Sequence, residues 1–126
     1  MLVNLTNHPS EKWDHTQYSA AVERYHHIVD LPFPHIDPKA TLKEVAEWAE
    51  KYLFDILELR SKNQQDDVFA VLLMGEWTFC FQLAIRLREH GIPVLATTTV
   101  REVSMKGDQK ISIFRFSGFR PYFELP

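Results

Sequence analysis

One cysteine, Cys80, is the whole thiol complement of this 126-residue chain, so neither an internal disulfide nor a cysteine-built zinc site can form. It stands inside an apolar run, where a thiol is expected to be buried and inert. Glycine is scarce as well. There is no glycine-rich phosphate loop and no G-x-G-x-x-G, which argues against ATP hydrolysis and dinucleotide redox chemistry. No G-x-S-x-G elbow is present to carry a nucleophilic serine. No apolar run approaches about twenty residues and no N-terminal signal pattern is seen, so a soluble, cytoplasmic protein without membrane contact is expected. Basic charge is not in excess either. A net charge of −3 disfavours a protein that coats duplex nucleic acid, because such binding rests on phosphate neutralisation.

What is present fits one domain over residues 1–126, able to bury roughly two-thirds of its unfolded surface. Nine Phe, four Tyr and three Trp supply large side chains for a small core, Trp77 and Phe79 among them. Charge is uneven: residues 1–100 hold 9 Lys/Arg and 14 Asp/Glu, whereas residues 101–126 hold 5 and 3. The C-terminal end is therefore the relatively basic one.

Hydrophobic patterning predicts alternating strands and helices. Met1–Thr6 reads as a short buried strand. Asp14 with Gln17 forms a capping-box pattern that opens a helix presenting Tyr18, Ala21, Val22 and Tyr25. His27–Leu31 is a second strand, after which Pro32, Pro34 and Pro38 forbid regular structure to about residue 40. Thr41 and Glu44 repeat the capping box and launch a helix with Leu42, Val45, Ala46, Ala49, Leu53, Ile56 and Leu57 at helical spacing. Ser61–Asp67 is a polar loop. Val68–Met74 is apolar throughout, as a strand covered on both faces must be. Glu76–His90 is the third helix, closed by Gly91 with Ile92 placed for the accompanying apolar contact. Pro93–Ala96 leads a fourth strand. Beyond Thr99 the alternation on both sides of Lys106-Gly107-Asp108-Gln109 predicts a terminal hairpin. The expected fold is α/β: a doubly wound, mainly parallel sheet with a C-terminal β-hairpin and strands one and three adjacent at the centre.

Three polar turns follow strands in that scheme: Thr6-Asn7-His8-Pro9-Ser10, Met74-Gly75-Glu76-Trp77-Thr78, and Thr97-Thr98-Thr99-Val100-Arg101. In such sheets ligands bind beyond the carboxyl ends of the strands, and each following helix is expected to aim free N–H groups there, favouring anions such as phosphate. His8 sits at this rim. Glu76 at a helix start suits helix-end electrostatics or contact with a ribose hydroxyl or base amine, and Thr78 can join it. A threonine triplet alternates faces when extended, so at most two of its hydroxyls share a side. Arg101 has the forked geometry that phosphate favours, and Arg115 and Arg120 stand on the hairpin. His26, His27, His35, Asp30 and Asp37 match no known metal-site spacing; no metal and no cofactor is expected.

Long stretches carry a family resemblance: Asn4-Leu5-Thr6-Asn7-His8-Pro9-Ser10 with Trp13; Ile28-Val29-Asp30-Leu31-Pro32-Phe33-Pro34 with Ile36-Asp37-Pro38; Met74-Gly75-Glu76-Trp77-Thr78-Phe79; Thr97-Thr98-Thr99 with Arg101; and Phe116 to Tyr122. Together they resemble small accessory proteins of type III CRISPR antiviral defence, in the group of cyclic-oligoadenylate binders and ring nucleases with a Rossmann-like, CARF-type fold. The resemblance implies a homodimer that binds a cyclic oligoadenylate, most often the four-adenylate ring, across its two-fold axis. Members either cleave the ring or sequester it, and both actions switch off signalling. The resemblance carries over Asn7, Ser10, Gly75, Glu76, Thr78, Thr98 and Arg101 to the ligand site; Thr6, Met74 and Thr97 of the same stretches are expected to join them, and His8, Ser10 and Arg101 are the expected catalytic groups. Cleavage would be a metal-independent attack of a ribose 2′-oxygen on the adjacent phosphorus, leaving a 2′,3′-cyclic phosphate. A sponge that only sequesters the ring, and a protein-interaction module with no nucleotide ligand, are the alternatives. The chain departs from the family pattern at Leu72, where a more hydrophilic residue is expected, and at Ser117-Gly118, where the pattern has a valine and the last strand is expected to break.

Overall fold

The computed structural model describes residues 1–65 and 67–125; Asp66, in the expected polar loop, and Pro126 lie outside them. Strands are β1 (Leu2–Leu5), β2 (Ile28–Asp30), β3 (Ala70–Leu73), β4 (Val94–Lys106) and β5 (Gln109–Pro121). Helices are α1 (His15–Tyr25), α2 (Leu42–Lys62) and α3 (Trp77–Glu89), with one 3₁₀ turn at Ser10–Lys12. The fold is α/β with one five-stranded mixed sheet of order β2-β1-β3-β4-β5. Its first four strands are parallel, and β4–β5 is an antiparallel hairpin. Strands one and three are adjacent, Leu2–Leu5 in register with Ala70–Leu73.

Every residue of β1 and β3 is buried, because helices cover both faces of these central strands. On one face Val3, Leu5, Val71 and Leu73 pack against Val45, Ala49 and Ile56 of α2 and Phe79, Leu83 and Leu87 of α3. On the other, Leu2, Ala70, Leu72 and Leu95 meet Ala21 and Tyr25 of α1. Coverage by a single helix leaves Tyr18 and Val22 partly open to solvent, 45% and 37% exposed, so the expected apolar face of α1 narrows to Ala21 and Tyr25.

The helix boundaries follow from local chemistry. Thr41 Oγ1 accepts from the Glu44 amide at 3.2 Å, and the Glu44 carboxylate returns to the Thr41 amide at 3.2 Å, a complete capping box. At α1 only the Asp14 half forms: its carboxylate accepts from the Thr16 and Gln17 amides. The second helix runs on through Ser61 and Lys62 into the expected loop, and Asn63 closes it by donating to the Leu59 carbonyl at 2.7 Å. At the end of α3, Ile92 N–H bonds Leu87 C=O and Gly91 N–H bonds Arg88 C=O, with Gly91 at φ 69°. That is the Schellman arrangement, and Ile92 is buried as it requires.

Three expectations are corrected. Thr97–Arg101, expected as a polar turn after a strand, lies inside β4, which runs on to Lys106 because its pairing with β5 continues. Trp77 is 88% exposed rather than part of the core. The phase of α3 is set by Phe79, Cys80, Leu83, Ala84 and Leu87, which turns Trp77, Phe81 and Ile85 outward. The last strand is not broken at Ser117-Gly118. Thr98 pairs with Gly118 and Thr99 with Phe116, so Ser117 is the extra residue of a bulge and the pairing continues on both sides of it.

Candidate functional site

The first turn is built on Asn4, the one buried polar side chain among the described residues, 2% exposed. Its Nδ2 donates to Asp30 Oδ1 at 2.7 Å and to the His8 carbonyl at 2.9 Å. Its Oδ1 accepts from the Thr6 hydroxyl at 2.9 Å. Trp13 Nε1 also donates to the His8 carbonyl, at 3.0 Å, and the His8 amide donates to Thr6 Oγ1 at 3.1 Å. The turn is thus fixed from three sides, and the His8 ring is carried at the end of β1.

Around it lies a cavity of about 440 Å³ at the carboxyl ends of β1 and β3 and against the first half of β4. Thr6, Asn7 and His8 form one side, Met74 and Gly75 a second, and Thr97 and Thr99 a third, with Leu72 also in the lining. Lys12, Trp13, Asp14 and Gln17, from the entry to α1, complete the wall. The volume falls in the range of small-ligand sites. Thr97 and Thr99 share a face of β4, and Thr98 points the other way, donating to the Gly118 carbonyl at 3.2 Å. Thr97 is fixed by Met74, whose Sδ accepts from its hydroxyl at 3.2 Å and its amide at 3.3 Å.

Of the residues expected at the site, the cavity gathers Thr6, Asn7, His8, Met74, Gly75 and Thr97. Ser10, Glu76, Thr78, Thr98 and Arg101 are outside its lining. Ser10 is engaged 20 positions along the chain, its hydroxyl donating to Asp30 Oδ2 at 2.8 Å and its amide to Oδ1 at 3.2 Å. Arg101 lies two residues beyond Thr99, its guanidinium donating to Ser112 Oγ at 2.9 and 3.3 Å. Arg115 is ion-paired to Glu102 at 2.7 Å.

The helix starts differ from expectation in the same way. The Glu76 carboxylate accepts from the amides of Thr78 (3.0 Å) and Phe79 (2.8 Å) and from the Thr78 hydroxyl (2.6 Å). Burial works to raise the Glu76 pKa, but the hydrogen bonds from the Thr78 hydroxyl and the Phe79 and Thr78 amides outweigh it and hold the group below its ordinary value. Asp14 is lowered likewise, chiefly by the Gln17 amide. The starts of α1 and α3 therefore each bring their own anion to their orphan donors, and the cavity's cationic side chain is Lys12.

Wall residues Lys12, Trp13, Gln17 and Thr99 escaped the sequence reading as ligand contacts. Trp13 and Thr99 stand inside the quoted motifs; Lys12 and Gln17 carry no signal except proximity to the first turn. Cys80 is buried and its thiol pushed up to about 12 by that burial, so it stays protonated near neutral pH. Among the described residues no three His, Cys, Asp or Glu side chains converge to hold a metal, and no helix is long and apolar enough to cross a membrane.

A family model described as the uncharacterized protein MJ1673 family matches residues 1–120, and the chain belongs to that family. No curated protein and no solved structure matches it.

Proposed function

We propose that this member of the family binds a cyclic oligoadenylate, the four-adenylate ring in the first instance, at a homodimer interface, and degrades it to switch off type III CRISPR signalling. The observation that carries the reading is the cavity. It draws residues from the first two polar turns and from the threonine triplet of β4 to one place, at the carboxyl ends of adjacent strands one and three. That is where ligands enter open α/β sheets. The strand order β2-β1-β3-β4-β5 with helices on both faces supports a Rossmann-like, doubly wound, CARF-type domain. A two-fold dimer would duplicate the cavity and offer a symmetric ring two equivalent sites.

The group types suit the ligand. Lys12 can neutralise a phosphate oxygen, Thr97 and Thr99 can bond phosphate or ribose oxygens, and the Trp13 ring offers a stacking surface for adenine. Strand cleavage would need in-line attack of a ribose 2′-oxygen on the adjacent phosphorus, with loss of the 5′-oxygen and closure of a 2′,3′-cyclic phosphate. His8 would move the proton, from the 2′-hydroxyl or to the departing oxygen, and the fixed turn beneath it supplies alignment. Arg101 would join the phosphates by leaving Ser112. A second reading is sequestration without cleavage. It is favoured by Ser10, whose hydroxyl is already donated to Asp30 and so is withdrawn from catalysis.

Incubation with cyclic tetra-adenylate and hexa-adenylate in the absence of metal decides among these. Linear products ending in a 2′,3′-cyclic phosphate are expected. Unchanged ring with a strong rise in melting temperature would establish the sponge, and no binding of either ring would remove the messenger altogether.

A further inference from the structure

Two apolar surfaces of this chain are left uncovered by the chain itself. The first is the hairpin arm. From Ala96 onward β4 pairs only with β5, and the eight residues after the bulge extend roughly 25 Å at about 3.3 Å each. Cross-strand partners share a face. Phe114, Val103 and Met105 therefore stand on one side of the ribbon and Val100, Ile113 and Ile111 on the other. Both sides are open to water, Phe114 at 65%. A lone two-stranded ribbon is marginal in water even with polar faces, and this one exposes three large apolar side chains on each, among the Arg101–Ser112 contact on one side and the Arg115–Glu102 pair on the other.

The second surface is the outer stripe of α3. Trp77, Phe81 and Ile85 recur at i, i+4 and i+8, and Trp77 and Phe81 flank an apolar cavity of about 500 Å³ together with Met74, Ala96 and Tyr122. The Tyr122 hydroxyl is committed to the Leu73 carbonyl, so the groove presents ring faces and methyl groups.

We propose that the arm of one copy lies in the α3 groove of a second copy, and reciprocally, so that the homodimer forms by exchange of arms. This takes up the dimer of the preceding reading and names its contact surfaces; no step of it uses the nucleotide. Charge selects the occupant. The arm belongs to the basic end of the chain, 5 Lys/Arg against 3 Asp/Glu in residues 101–126, whereas the body of residues 1–100 holds 9 against 14. A second arm repels an arm; the body of a second copy attracts it. Position adds a reason. Met74 and Gly75 line both the groove and the polar cavity, so a partner seated in the groove stands beside the candidate ligand site.

The test is sedimentation equilibrium of the wild type, Phe114→Asp in the arm and Phe81→Lys in the groove, under conditions, with or without ring, where the wild type dimerises. Expected are a dimer mass for the wild type and a monomer mass for each variant, both variants keeping the wild-type circular dichroism. An equal mixture of the two variants should recover dimers, because one arm–groove pair is then native and the other joins opposite introduced charges. A wild type that is monomeric with and without cyclic tetra-adenylate overturns the proposal. So do variants that stay dimeric, or a mixture that stays monomeric, which would indicate arm–arm or groove–groove contact. If either variant loses its circular dichroism, Met105→Asp and Ile85→Lys replace them. A wild type that exchanges arms yet binds no ring would remove the messenger reading and leave this one standing.

Discussion

Gly75 lies so close beneath the ring of Phe33 that a Cβ at position 75 would stand 2.3 Å from Phe33 Cζ. Phe33 meets Phe79 edge-on, with centroids 5.3 Å apart, and Phe79 is fully buried, so the half-buried Phe33 ring cannot retreat toward the core and must swing outward to make room. The glycine of the second turn is thus a packing requirement. Gly75→Ala should cost about 1–3 kcal/mol, the usual range for overpacking, read as a lower denaturant midpoint at unchanged slope. Phe33→Leu in the same chain should return part of the loss. If Gly75→Ala alone is neutral, the close approach does not govern this turn.

Asn4 joins β1, β2 and the first turn through hydrogen bonds to Asp30, His8 and Thr6. Replacement by Leu keeps similar bulk but strips Asp30 and the His8 carbonyl of a donor. We expect a loss of roughly 2–3 kcal/mol, because partners left behind lose their bonds without regaining full solvation. Amide exchange at Asn7 and His8 should accelerate more than exchange in β3. Uniform acceleration across the sheet would mean that Asn4 supports the core and not specifically the turn.

Much of the sheet was legible because its causes are local. An unbroken apolar run such as Val68–Met74 has few outcomes other than a covered strand, and the Thr41–Glu44 and Gly91–Ile92 pairs mark helix ends by chemistry that four or five residues contain. Distant partners decided the rest. The engagement of Ser10 depends on Asp30, and that of Arg101 on Ser112 across the hairpin. Trp77 reads as core until the phase of α3 is known, since an apolar first turn fits either side of a helix. Lys12 and Gln17 reach the cavity only because α1 starts beside the end of β1. Glu76 had its helix-end role in view; what sequence could not decide is that the carboxylate is fully taken up there.

For Glu76 the sign of the pH effect is fixed. Its folded pKa lies below its ordinary value of 4.5, so the stabilisation is present above the unfolded pKa and is lost as pH falls through the folded one. Glu76→Ala should cost about 1 kcal/mol at neutral pH, typical of a lost cap. The gap between wild type and variant should close as pH drops below about 4. Ring affinity should survive the substitution. A variant that keeps wild-type stability but loses the ring would place Glu76 at the ligand instead.

The threonine triplet gives the sharpest test of which face carries the ligand. Thr99 lines the polar cavity, whereas Thr98 turns to the Gly118 carbonyl. Valine at either position preserves shape and strand preference while removing one hydroxyl. Thr99→Val should weaken cyclic tetra-adenylate binding about tenfold, equivalent to roughly 1.4 kcal/mol, and leave stability nearly unchanged. Thr98→Val should do the reverse, keeping affinity and lowering stability by up to about 1 kcal/mol for the lost hydrogen bond. Lys12→Ala in parallel should weaken binding and flatten its salt dependence, since one phosphate contact is removed. If Thr98→Val is the substitution that abolishes binding, the ring sits on the α3 side of the sheet. The apolar groove, and not the cavity beside His8, would then be the ligand site.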